Sequence, residues 1–153
     1  MKTSCAPSAT ETTCAPPTSP CVVHRALPAD PSAVGQARRT AGRLLGSYGR
    51  SCPEGVAADF LLVVSELATN AFLHAAPPYA LTVTVEEGRA GVTVSDRSRA
   101  GPGRPRVHED LSSHKRGLEI VEALGAEVRV SRSRRGKQVT AVLTWPPRSG
   151  DRA

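Results

Sequence analysis

With 153 residues, 39% of them hydrophobic, the chain holds enough material for one domain with a core and some tail, but not for two. Its formal charge of +6 (20 Lys and Arg against 14 Asp and Glu) would suit phosphate contacts. Two Phe, two Tyr and one Trp leave few stacking platforms, and the basic residues scatter over turns and chain ends, so direct nucleic-acid binding is not expected. No N-terminal segment resembles a signal peptide and no run approaches the apolar length that crosses a bilayer, so the expectation is a cytoplasmic protein without a membrane partner.

Residues 1–20 are rich in Ser, Thr, Pro and Ala and cannot bury enough surface to offset ordering, which predicts a disordered tail; 147–153 form a second, short polar tail. Cys5, Cys14, Cys21 and Cys52 form no C-x-x-C pair, so reduced thiols rather than a zinc site are expected. The run Cys21 to Leu27 predicts a first strand. Asp30 then caps a helix with Pro31 at its first position, and Ala33, Val34, Ala37, Ala41, Leu44 and Leu45 carry it to about Tyr48, with Gly49 past its end. A second helix opens at Ser51-Cys52-Pro53-Glu54, with Ser51 as cap and Glu54 as the capping-box acid, and ends before Pro77-Pro78.

Tyr79 to Glu86 and Ala90 to Asp96 alternate at period two around a turn at Glu87-Gly88-Arg89, an antiparallel hairpin. From Arg97 to Ser113 the Gly, Pro, Arg and Ser content predicts a long loop, of the kind that often serves as a lid. Helical spacing returns over Arg116 to Leu124 and stops at Gly125. Strands at Ala126 to Ser131 and Gln138 to Trp145 follow, joined by a basic turn from Arg132 to Lys137. The order β-α-α-β-β-loop-α-β-β predicts an α/β two-layer sandwich: a mostly antiparallel mixed sheet with helices on one face, spanning 21–146.

The second helix carries the chemistry. At about 3.6 residues per turn, Glu66, Asn70 and His74 fall at i, i+4 and i+8 and form a slowly drifting row. The rest of the helix is largely apolar, which places the row in a partly buried cleft, where a carboxylate needs a cation or donors. Spacing alone fits two arrangements: a half-exposed Glu66, a satisfied Asn70 and a core His74, or a row that binds a ligand. Two further features stand at suggestive places: Asp96 at a strand end, which could equally cap a turn, and Lys115-Arg116-Gly117-Leu118 opening a helix, where free N–H groups and the dipole favour phosphate.

Together these segments resemble the GHKL ATPases, whose nucleotide-binding fold is the Bergerat fold. More closely, the chain resembles the RsbW-type anti-sigma factor serine/threonine kinases over roughly residues 21–146. Glu66 to His74 matches the N-box, Val92 to Ser98 the first glycine-box region, Arg116 to Val121 the second, and Gly136-Lys137 the step before the last strand. The resemblance implies ATP and Mg²⁺ as cofactors. Asn70 would bind Mg²⁺, Glu66 would act as general base or orient the nucleophile, and Asp96 would accept a hydrogen bond from the adenine amino group. Ser98, Lys115, Arg116, Gly117 and Leu118 would meet the nucleotide, with His74 as support beneath the site.

The implied partners are an anti-anti-sigma (STAS) protein, phosphorylated on Ser or Thr, and a sequestered sigma factor, with the chain as a homodimer. The alternative is a non-catalytic partner-binding regulator of the same fold with weak or no ATP turnover. The sequence departs from the family pattern where Asp96-Arg97-Ser98 stands for Asp-x-Gly and Lys115 for the first glycine of Gly-x-Gly-Leu. Lys137 or Gln138 likewise stands where a threonine is usual.

Overall fold

The computed structural model describes residues 20–48, 52–97 and 111–146, the side chains of 111–116 excepted. The expected N-terminal tail up to residue 19, the cap at Ser51, the loop over 98–110 and the tail at 147–153 lie outside the described residues. Within them the order is β1 (Cys21–Leu27), α1 (Ser32–Tyr48), α2 (Glu54–His74), β2 (Tyr79–Glu86), β3 (Arg89–Asp96), α3 (Leu111–Ala123), β4 (Glu127–Ser133) and β5 (Gly136–Thr144). The five strands form one sheet in the order β1-β2-β3-β5-β4, and each of the four pairings is antiparallel. Three helices over such a sheet make the two-layer α/β sandwich that the element order implied.

Alternation decides which side of the sheet is core. On β2, Tyr79, Leu81, Val83 and Val85 point inward and are buried, and the register sets Leu81 against Val94 and Val83 against Val92 of β3. Ala141 and Leu143 of β5 continue the same rows. The opposite face carries Thr84, Thr93 and Thr140, and the Thr93 and Thr140 hydroxyls hydrogen bond at 2.8 Å.

α2 fills the middle of the helical layer, touching α1, α3, β3 and β5. Phe60, Val63 and Val64 are fully buried, and Leu67, Ala68 and Ala71 extend that seam toward the C-terminal end. α1 starts as its sequence suggests, with the Ser32 N–H donating to Asp30 Oδ1 at 2.8 Å. Hydrogen bonds from the Ser32 hydroxyl and N–H hold the Asp30 carboxyl below its ordinary range.

Several expectations are corrected. Pro53 occupies the N-cap of α2 in extended backbone and makes no side-chain cap bond. α2, with 21 residues and a mean hydropathy of 1.6 over its most apolar window, is long and apolar enough to cross a membrane, contrary to the sequence expectation. In the fold it is the core helix of a sandwich, and its apolarity goes into the sheet and α1. The basic turn between the last strands shrinks to Arg134-Arg135, because both strands extend toward each other until Ser133 pairs with Gly136.

Phe60 closes the centre of the core with no exposed surface. Phe60→Ala is expected to lower the unfolding free energy by about 3–5 kcal/mol, read from urea unfolding at unchanged slope. A loss below about 1 kcal/mol would show that the α2 seam is not the centre of the core.

Candidate active site

The C-terminal half of α2 turns from apolar to polar where it passes the end of the sheet. Leu67 and Ala71 still face the strands, while Asn70 sits between them at 9% exposure, and Glu66, one turn earlier, is half-buried. The Asn70 Nδ2 atom is buried and has no hydrogen-bond partner among the described residues. A buried donor left in that state costs about 1–3 kcal/mol, and native proteins rarely keep one without a functional reason.

Asn70 lines a cavity with Leu67 and Ala71 of α2, Val94 and Asp96 of β3, Leu118 of α3, and Lys137 and Val139 of β5. Its walls are apolar and its polar groups few, the usual make-up of a small-molecule site. The space open to a water centre is ≈ 10 Å³, room for about one water.

α3 closes the cavity, and its position corrects one expectation. The helix begins at Leu111, so Gly117 lies in its second turn, beyond the first four N–H groups that lack intrahelical partners. Gly117 therefore does not offer a helix N-terminus to phosphate. Its contribution is the absence of a side chain. A Cβ there would lie 3.0 Å from both Asn70 Nδ2 and Oδ1 and 3.3 Å from Glu66 Oε2. Gly117 thus keeps the space beside the Glu66 carboxylate and the Asn70 amide clear. Leu118 lines the cavity as an apolar wall. Ser98 and the side chains of Lys115 and Arg116 lie outside the described residues.

In the same lining Asp96 is 6% exposed and ends β3. Ala80 pairs with Ser95, which sets Tyr79 beside Asp96, and Asp96 itself pairs with Lys137. Burial pushes the Tyr79 hydroxyl above its ordinary range and the Asp96 charge adds to that, so it stays a donor, to Ala75 O at 3.0 Å. The Arg97 N–H donates to Ala76 O at 3.1 Å. These two bonds tie the end of α2 to the strand ends and fix Asp96 relative to Asn70. Gly136, at φ +137°, passes so close that a Cβ would come within 1.9 Å of Asp96 O, an approach open to glycine alone.

The structure therefore brings Glu66, Asn70 and Gly117 together at one end of the site and Asp96 and Leu118 into the same cavity. His74, the last residue of α2, is half-buried and does not line the cavity. Lys137 lines it too; the sequence marks it only as one of two positions where a threonine is usual. The signal was there: Lys137 is in phase with Val139, Ala141 and Leu143, the inward row of β5.

Because the Asn70 donor is unpaired among the described residues, Asn70→Leu is expected to leave unfolding free energy in ligand-free buffer unchanged or raise it by about 1 kcal/mol. Chemical denaturation checks this. A loss of more than about 2 kcal/mol would show that the amide holds the fold rather than waiting for a ligand.

The profile of the histidine kinase-like ATPase domain family matches residues 27–143, more than half of the chain. No curated protein matches it in sequence. Among solved structures, the RsbU and RsbW domains of Rv1364c from Mycobacterium tuberculosis superpose with a TM-score of 0.57 at 21% identity, over 83% of this chain and 34% of that one. The histidine kinase domain of the blue-light activated histidine kinase of Erythrobacter litoralis EL346 gives 0.46 at 23% identity, over 74% and 59%. A second structure of that kinase gives 0.47 at 26%, over 74% and 41%. The chain thus spans about a third of the length of the Mycobacterium tuberculosis chain it overlays. A five-stranded antiparallel sheet under three helices, with Asn70 and Asp96 facing one cavity, agrees with the family match over 27–143: the chain belongs to the histidine kinase-like ATPase domain family.

Proposed function

We propose that the chain is an ATP-dependent regulator that phosphorylates a serine or threonine of an anti-anti-sigma (STAS) protein and sequesters a sigma factor. The observation that carries the catalytic part is the buried, unpartnered Asn70 amide beside the Glu66 carboxylate, in a space that Gly117 keeps free of a side chain. The resemblance of Glu66 to His74 to the N-box of RsbW-type kinases supports the choice of phosphoryl acceptor and partners, and supports a homodimer.

Phosphoryl transfer is mostly positioning and charge neutralisation, so few protein groups are needed. The donor set fits a hard cation that keeps most of its waters: Asn70 supplies an amide oxygen and Glu66 a nearby carboxylate. Asn70 would hold Mg²⁺, which when bound neutralises phosphate charge. The Asn70 N–H would donate to a phosphate oxygen, satisfying the orphan donor. Glu66 Oε2 would take the proton of the attacking hydroxyl or orient that hydroxyl. Asp96, whose residue lines the same cavity, would accept from the adenine amino group. Ser98, Lys115 and Arg116 are assigned to the nucleotide on the motif resemblance.

The departures at Ser98 and Lys115 from the family's glycine pattern support a second arrangement, in which the same fold sequesters a partner without turnover. Labelled ATP separates the two. The wild type is expected to bind ATP with Mg²⁺ and to transfer phosphate to STAS proteins of its host. Asn70→Ala is expected to lose the Mg²⁺-dependent part of binding. Glu66→Ala should bind ATP within a few-fold of wild type while transfer falls by about 10²–10⁴. A wild type that binds no ATP contradicts the kinase; equal transfer by Glu66→Ala removes Glu66 from catalysis.

A further inference from the structure

α2 holds no Lys or Arg, so its outward side lacks the charged coat of an ordinary surface helix. Leu62 is 38% exposed, and Leu73, at 61%, is the most exposed large apolar side chain among the described residues. A single exposed leucine needs no account. These two need one because of where they fall. Leu62, Glu66, Thr69 and Leu73 stand at i, i+4, i+7 and i+11, within a strip about 60° wide on the helix surface. The carboxylate therefore has aliphatic ground on both sides of it along the helix axis. Asn70, one position on from Thr69, turns inward and is buried, so Glu66 stands between the cavity and this open strip. α3 adds a third aliphatic. A Cβ on Gly117 would lie 3.3 Å from Glu66 Oε2, and Ile120, one turn farther along α3, is 37% exposed.

Resting on the kinase reading above, we propose that this strip docks the phosphoacceptor segment of the partner protein, with Leu62 and Leu73 as positioning residues. Glu66 decides the occupant: a hydroxyl that gives its proton to Oε2 is delivered by a chain lying across the strip, and that chain meets a leucine on either side of the carboxylate. Spacing then sets the acceptor's pattern. Along the axis Leu62 lies about 6 Å before Glu66 and Leu73 about 10 Å after it. An extended chain advances about 3.3 Å per residue, so a segment running along α2 carries apolar side chains about two residues from its Ser or Thr on one side and about three on the other. The only charge on the strip is the Glu66 carboxylate, which opposes an acidic residue beside the acceptor. A second copy seated on the strip about a two-fold axis would bring the two Glu66 carboxylates toward each other, which like charge also opposes.

Steady-state transfer of labelled phosphate from ATP to the host STAS protein that the wild type phosphorylates fastest tests this. The variants are Leu62→Asp, Leu73→Asp and, as a control on β4, Val130→Asp, whose side chain is 48% exposed. Each leucine variant is expected to raise the KM for the acceptor about tenfold with kcat within about threefold of wild type, because it removes binding common to ground and transition state. Val130→Asp should match wild type. Asn in place of the apolar residues that flank the acceptor's Ser or Thr should raise the wild-type KM by a similar factor and add little on Leu62→Asp. That acceptor-side change needs no variant of this chain to fold. An acceptor KM that neither leucine variant moves overturns the assignment, as does an equal rise in Val130→Asp. A dimer that sediments as a monomer on Leu62→Asp, with KM unmoved, gives the strip to a second copy and overturns it too. If the wild type phosphorylates no host STAS protein, the kinase reading fails and takes the docking strip with it; if transfer occurs and KM ignores the leucines, only the strip fails.

Discussion

Everything in the site depends on how α2 lies across the sheet. Its seam of Phe60, Val63, Val64, Leu67 and Ala71 is buried against the strands, so the helix can neither rotate nor slide without opening the core. With that seam held, Asn70 must enter the layer between helix and sheet. The polar group is thus placed by apolar packing, and the Tyr79 bond to Ala75 O and the Arg97 bond to Ala76 O fix the end of the helix that carries it. Rigid support of this kind is what a site for positioned chemistry requires.

The local rules that the molecule breaks cluster at one place. Asn70 Nδ2 is buried without a partner, Asp96 is buried at a strand end, Lys137 stands in an apolar row, and Gly117 and Gly136 both give way to neighbours. Asn70, Asp96 and Lys137 line a single cavity and the two glycines pack against Asn70 and Asp96, the pattern expected where stability has been exchanged for binding. The α3 contact places Leu118 as one apolar wall of the same cavity.

Local periodicity made most of the fold legible. The alternation of Tyr79 to Glu86 and the spacing of Ala33 to Leu45 report burial directly, because neighbours in sequence share the same layer. The start of α3 was not legible, since Leu111-Ser112-Ser113-His114-Lys115 has no apolar period until Leu118 joins it. In the site, Glu66, Asn70 and Asp96 were legible from motif order and type. The place of Gly117 was not: its missing side chain matters only once α3 is known to cross α2 at Asn70. Lys137 was legible only as a departure from the usual threonine; its place in the inward row was masked by Arg132, Arg134 and Arg135, which read as a solvated turn although the strands run up to Ser133 and on from Gly136.

The central claim is that the orphaned Asn70 amide is the protein's contact with a Mg²⁺-bound nucleotide. The side-chain NH₂ resonance of Asn70, assigned in ¹⁵N-labelled protein by its loss in Asn70→Leu, follows that contact directly. On titration with ATP and Mg²⁺ it is predicted to shift and sharpen as its donor gains an acceptor, together with the backbone amides of Gly117 and Asp96. If ATP and Mg²⁺ leave the Asn70 side-chain resonance where it stands in the free protein, Asn70 does not hold the nucleotide and the account fails.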